Sequence, residues 1–146
     1  MREPIALVAF VPNRVGLLIP LGERWMLRPD FAGGTAKNIY WDQEWAIVAG
    51  VSLIRRSRPT DRGWTYAAVR FGISTEQAGS QGPTWVTTHV TATGGGHAQV
   101  RAWLGVFGEA GLAASHFDQG DGYNPITEFE IVSRVGITLR RPPREP

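Results

Sequence analysis

The chain has 146 residues, 42% of them apolar and 19% charged, which is the length and composition of one globular domain rather than a disordered segment. Its formal charge is only +2, with arginines interspersed among acids, so no nucleic-acid patch is expected. It has no cysteine, which excludes disulfides, thiolate metal sites and cysteine nucleophiles.

Eighteen glycines and ten prolines fit many turns between short strands. In chain order, runs rich in β-branched and aromatic residues predict strands over Ile5–Val11, Val15–Ile19, Arg24–Arg28, Glu44–Arg56, Trp64–Ser74, Thr84–Thr93, Ala98–Phe107 and Thr127–Arg140. Between them lie the breakers Pro12-Asn13, Pro20–Gly22, Pro29–Gly34, Pro59–Gly63, Gln77–Pro83, Gly94–Gly96 and Asp118–Pro125. Ala102–Ala114 also has apolar residues at helical spacing, but Gly105, Gly108 and Gly111 each weaken a helix, so a strand is expected there. The first two apolar runs are too short and broken for a membrane helix, and no cleavage-site pattern follows a basic start. The expectation is therefore a chain made without a signal peptide and without membrane or nucleic-acid partners. We expect one domain over residues 1–141, an all-β antiparallel β-sandwich of about eight strands, jelly-roll-like, followed by an extended tail at 142–146.

The last strand alternates most cleanly. Phe129, Ile131, Val135, Ile137 and Leu139 point one way and Glu128, Glu130, Arg134, Thr138 and Arg140 the other, as in a strand with its apolar face buried. In Glu44–Arg56 the apolar residues fall on both parities, so both sides look covered. A hairpin of Thr84–Thr93 and Ala98–Phe107 joined by Gly94–Ala98 puts the apolar sets on one face. His89 then lies opposite Trp103 and Trp85 opposite Phe107, which leaves an outer face that is aromatic and polar. A second sheet of the same domain, a neighbouring subunit, or a sugar stacked on the rings would each account for such a face. The candidate interface or glycan-binding residues are Trp85, His89, Arg101, Trp103 and Phe107, joined by Arg140, Arg141 and Arg144 of a proline-rich tail suited to docking.

Catalytic and metal signals are weak throughout. His89, His97 and His116 have no ligand spacing, and Asp118–Asn124 lacks the acid that would close a calcium loop. Gly94–Gly96 lacks the Lys-Ser/Thr of a phosphate loop, and no Gly-x-Ser-x-Gly elbow occurs. Glu128 and Glu130, about 7 Å apart on one strand face, read as solvent-side acids rather than paired glycosidase carboxylates. No enzyme and no cofactor is expected.

The segments Trp64–Phe71 (WTYAAVRF), Thr84–Thr93 (TWVTTHVTAT) and Glu128–Arg141 (EFEIVSRVGITLRR) resemble small β-sandwich virion proteins of tailed bacteriophages, tail or capsid-decorating subunits in particular. Over the same stretch the chain also looks like galactose-binding jelly rolls and carbohydrate-binding modules. The resemblance implies a structural virion subunit, made in the host cytoplasm, that meets other subunits as a homo-oligomer or hetero-assembly. The alternative is a carbohydrate-binding module using Trp85, His89, Arg101 and Trp103.

Overall fold

A computed structural model describes residues 4–11, 13–36, 44–78, 84–118 and 125–141. It contains eight strands: β1 (Ala6–Phe10), β2 (Arg14–Pro20), β3 (Trp25–Ala36), β4 (Glu44–Arg56), β5 (Gly63–Ala78), β6 (Thr84–Arg101), β7 (Leu104–Asp118) and β8 (Ile126–Arg140). Each pairs antiparallel with its neighbour in sequence, and β1 pairs with β8, so the sheet closes into an up-and-down barrel. The all-β antiparallel expectation holds, and the strand number matches. The two-layer sandwich does not: one sheet curls onto itself and its concave face encloses the core.

The hairpin expected around Gly94–Ala98 is corrected by the register. Strand β6 runs straight through the three glycines, and the chain turns at Ala102-Trp103 instead. His89 pairs with Ser115 and not Trp103, and Phe107 pairs with His97 and not Trp85. The Gly94–Gly96 run looks like a loop tip in the sequence, yet Gly95 is a packing device. A Cβ there would stand 2.7 Å from the Tyr66 ring, so only glycine lets the phenol lie across β6. Ala102–Ala114 forms the turn and most of β7, so the strand reading stands there. Pro29, read as a breaker, lies within β3. It has no N–H to donate, and the ladder to β2 is interrupted there, between the pairs Gly16↔Asp30 and Ile19↔Leu27.

Closure also inverts the inside and the outside. Along β8 the period of two is as expected, but the buried members are Gly136 and Thr138, while Phe129 and Ile131 are 81% and 85% exposed. On β6, Thr91, Thr93 and His97 are buried and Val86 and Val90 face out. On β4, Ser52, Ile54 and Arg56 point in, while Ile47, Val51 and Leu53 point out. The apolar core is confined to one part of the lumen, where Ala6, Val8, Phe10, Leu18, Met26, Ile54, Trp64, Tyr66, Ala68 and Phe107 meet. Phe10 and Phe107 pack edge to face with centroids 5.1 Å apart.

Gly95→Val places a branched side chain against Tyr66 in a full lumen. We expect it to destabilise the barrel by about 1–3 kcal/mol, read as a lower denaturant midpoint in equilibrium unfolding. Gly96→Val, at a position where a Cβ meets nothing within 4 Å, is the control and should change the midpoint much less.

Candidate functional site: a charged lumen and a basic rim

Eight strands enclose a space just wide enough for side chains to fill. Into it the inward parity sends charged residues from five of the strands. Arg28 and Asp30 enter from β3, Arg70 from β5, Glu109 from β7, Arg134 from β8 and Arg14 from β2. They form two clusters. In the first, both Glu109 oxygens accept from Arg28 Nη2 at 3.0 and 2.9 Å, Arg134 Nη1 donates at 3.3 Å, and the Tyr66 hydroxyl donates at 2.8 Å. In the second, Asp30 accepts Arg70 Nε and Nη2 at 2.9 and 2.7 Å, a two-pronged pair, with Arg14 Nε at 3.4 Å.

Both carboxylates are sealed from solvent, and Arg28 and Arg70 nearly so. Two carboxylates thus serve four guanidinium groups. The geometry suits the low-dielectric interior, where a lone charge would cost several kcal/mol. Glycines make the room: a Cβ at Gly50 or Gly72 would collide with the Arg70 guanidinium. Arg28 also lies 4.9 Å from the Phe10 centroid and 5.8 Å from that of Phe107, so the apolar core meets the charged layer through ring faces.

Each of the three histidines is hydrogen-bonded to a hydroxyl. His89 sits in the lumen between Ser74 Oγ at 2.8 Å and Ser115 Oγ at 2.9 Å, tying β5, β6 and β7 together. A serine beside a histidine is half of a nucleophilic pair, but here the second ring nitrogen meets a hydroxyl instead of a carboxylate, and Ser74 is buried. His97 stacks on Trp64 with centroids 4.8 Å apart and shares a hydrogen bond with Thr138 Oγ1. His116 reaches Thr127 Oγ1 at 3.1 Å.

The sequence-derived candidates separate. Trp85 is half-buried near Phe117, towards the end of the barrel opposite the Ala102-Trp103 turn, and His89 and Phe107 face the lumen. Arg101, Trp103, Arg140 and Arg141 do come together, at the end of the barrel holding that turn, where the Arg140 N–H donates to the Trp103 carbonyl at 2.8 Å. Arg144 and the tail at 142–146 lie outside the described residues. The set Trp85, His89, Arg101 and Trp103 therefore builds no common face. The lumen instead gathers Arg14, Arg28, Asp30, Arg70 and Glu109, none of them among those candidates, together with Arg134 from the polar parity of the last strand. Arg70 and Glu109 did carry a signal: a charge in mid-strand on the parity opposite to the aliphatic residues.

The same end also carries Arg24, Arg55, Arg56, Arg58 and Arg62, against Glu23 and Asp61. We call it the basic rim. At the opposite end the described exposed charges include Glu76, Glu128 and Glu130. Among the described residues, no group of three or more acidic, histidine or cysteine side chains is placed to hold a metal ion. Comparison with protein-family models, curated proteins and solved structures finds no match to this chain.

Glu109→Gln removes the charge that compensates Arg28 and Arg134. We expect a loss of about 3 kcal/mol or more, measured by equilibrium unfolding. The double variant Arg28→Met/Glu109→Leu should recover much of that loss. A single variant as stable as the parent would show that the cluster is not what holds the lumen together.

Proposed function

We propose that the chain is a membrane-spanning β-barrel whose outer wall faces lipid and whose filled lumen makes it an anchor or scaffold rather than an open channel. One observation carries this reading: ion pairs lie inside, and large apolar side chains lie outside on every strand. Leu7, Leu17, Phe31, Val51, Phe71, Val90, Leu112 and Ile137 sample the outer face of β1 to β8 in turn. In water a wall of this kind is unfavourable, since ordinary monomers expose apolar patches of only a few hundred Å². In lipid it is the expected arrangement, because a closed barrel satisfies its backbone polar groups internally and leaves no edge.

The dimensions agree. The outward residues of β7 from Leu104 to Ala114 carry no charge. That run is about 33 Å long, or about 25 Å along the axis at a usual tilt of about 40°, which is the height of a bilayer-spanning apolar band. Trp25 and Trp103 are half exposed at its basic end, where interfacial aromatics belong. Among the described residues no helix is long and apolar enough to cross a membrane. Strands cross by a different pattern, alternating apolar and polar, which a search for long apolar runs does not register.

This reading departs from the expectation of no membrane partner. The virion-subunit reading covers the same wall with protein: the wall runs all the way round, so several neighbours would be needed. Refolding separates the two. Diluted from denaturant into phosphatidylcholine vesicles, the chain should gain β-structure, show blue-shifted tryptophan emission and migrate differently in heated and unheated gel samples. A folded, monodisperse monomer in detergent-free buffer would sink the membrane reading, and a large soluble oligomer there would favour the assembly.

A further inference from the structure

The ladder between β1 and β8 covers only part of the barrel's height. Strand β1 pairs with β8 from Gly136 to Arg140, and the Val11 N–H adds one more bond, to the Val135 carbonyl at 3.1 Å. The chain then turns into β2, whose pairing with β3 reaches no further than Arg14↔Ala32. Strands β8 and β3 run on past this turn. Over Ile126–Arg134, β8 pairs with β7, and over Gly33–Ala36, β3 pairs with β4. Among the described residues no strand lies on the second edge of either stretch. A Cβ on Gly34 would lie 3.7 Å from Asn13 Nδ2, so the β1–β2 turn forms the floor of the notch between them.

The ladder also fixes where the unpaired backbone groups point. In an antiparallel pair, alternate residues of a strand turn both N–H and C=O to the same neighbour. The Val135 carbonyl faces β1, so Thr127, Phe129, Ile131 and Ser133 present theirs to the open side. Such an edge is a template for another strand, and proteins commonly blunt it with proline, lysine or a bulge. Ile126–Arg134 contains neither residue, and its register with β7 is unbroken. Every residue from Ile126 to Ile131 is exposed, and Phe129 and Ile131 are the barest large apolar side chains among the described residues.

The side chains define what an added strand carries. Glu128 and Glu130 stand about 7 Å apart on the lumen-side parity and form no ion pair among the described residues. A second copy of the chain is a poor match. Antiparallel registers centred on Phe129 or Glu130 set glutamate against glutamate. The register centred on Ile131 sets Glu128 against Arg134, whose guanidinium is already held by Glu109. A strand that alternates basic and apolar residues meets both faces, because directly opposed side chains in a sheet interact.

We propose that the open edge of β8 takes up an extended segment of a partner protein as an added strand, antiparallel to Ile126–Arg134. Its basic side chains lie opposite Glu128 and Glu130 and its apolar ones opposite Phe129 and Ile131. Backbone hydrogen bonds supply the affinity and the two glutamates select the partner. The edge is unpaired whether lipid or protein surrounds the wall, so this site does not depend on the membrane reading.

The full chain in non-ionic detergent is titrated into a fluorescent nine-residue peptide of alternating lysine and valine, with anisotropy as the readout. Saturable binding is expected, roughly ten-fold or more tighter than for the glutamate–valine counterpart. In the proposed register the valines donate to β8 and the lysine N–H groups point away. N-methylation of the valines should therefore abolish binding, and N-methylation of the lysines should leave it. Glu128→Lys/Glu130→Lys, at two exposed positions, should reverse the preference towards the glutamate peptide. Ile131→Pro removes a donor of the open edge and none of the β7 ladder, and should weaken binding; the methylated peptides test the same bonds should that variant fold poorly. Equal affinity for the two charge types, or equal loss with either methylation, overturns strand addition. A dimer of the parent chain that Ile131→Pro dissociates also overturns the proposal, in favour of a second copy at this edge.

Discussion

The pairing of β1 with β8 is the constraint from which the rest of the structure follows. Five residue pairs between Ala6–Phe10 and Gly136–Arg140 close the ladder, and once it is closed the inward parity of each strand is committed to a narrow enclosed space. A sandwich can bury whichever face is more apolar, because a second sheet comes to meet it. A barrel of eight strands has only its own concave side, and the volume there is settled by strand number and tilt. Large aliphatic side chains on every strand would overfill it. Glycine, serine, threonine and a few long charged side chains that extend along the axis fill it well.

The charged residues inside are consequently organised in layers. Phe10, Phe107 and Trp64 close the lumen towards the basic rim. Arg28, Glu109, Tyr66 and Arg134 make the next layer, Arg14, Asp30 and Arg70 another, and Ser74, His89 and Ser115 a neutral one. Each layer links strands distant in the sequence: Arg28 meets Glu109 across 81 positions and Arg70 meets Asp30 across 40. Such contacts are costly to form in a flexible chain and strongly register-specific once formed, since slipping one strand by one residue would turn its charge into the outer medium. The two carboxylates, each shared by two arginines, therefore specify the register as well as neutralising the interior.

The outer wall and the basic rim are the complement of that arrangement. With the polar set used inside, the aliphatic and aromatic set is left to face outward, and it does so around the whole circumference. At one end the wall gives way to tryptophans and then arginines, a gradient from apolar through amphipathic to charged that matches the layering of a bilayer. Arg55 over Trp25 joins the last two steps of that gradient in a single contact.

Much of the secondary structure was legible in the residues themselves. The runs of β-branched and aromatic residues mark β4 and β8 almost to their ends, and the prolines and glycines near Leu21 and Pro59 mark turns. Two local signals misled for a physical reason. The Gly94–Gly96 run and Pro29 look like breaks because glycine and proline weaken an isolated strand, but here a Tyr66 ring needs the space at Gly95 and a gap in the β2 ladder accommodates Pro29. Which parity is inside was beyond the sequence. An alternating strand reads the same whether its apolar face is turned into a core or out of a barrel, and placing Phe129 and Ile131 in a core presupposes the former. Only the closure of β8 onto β1 decides it, because a barrel has one inside, and the residues found there are Arg28, Asp30, Arg70 and Glu109.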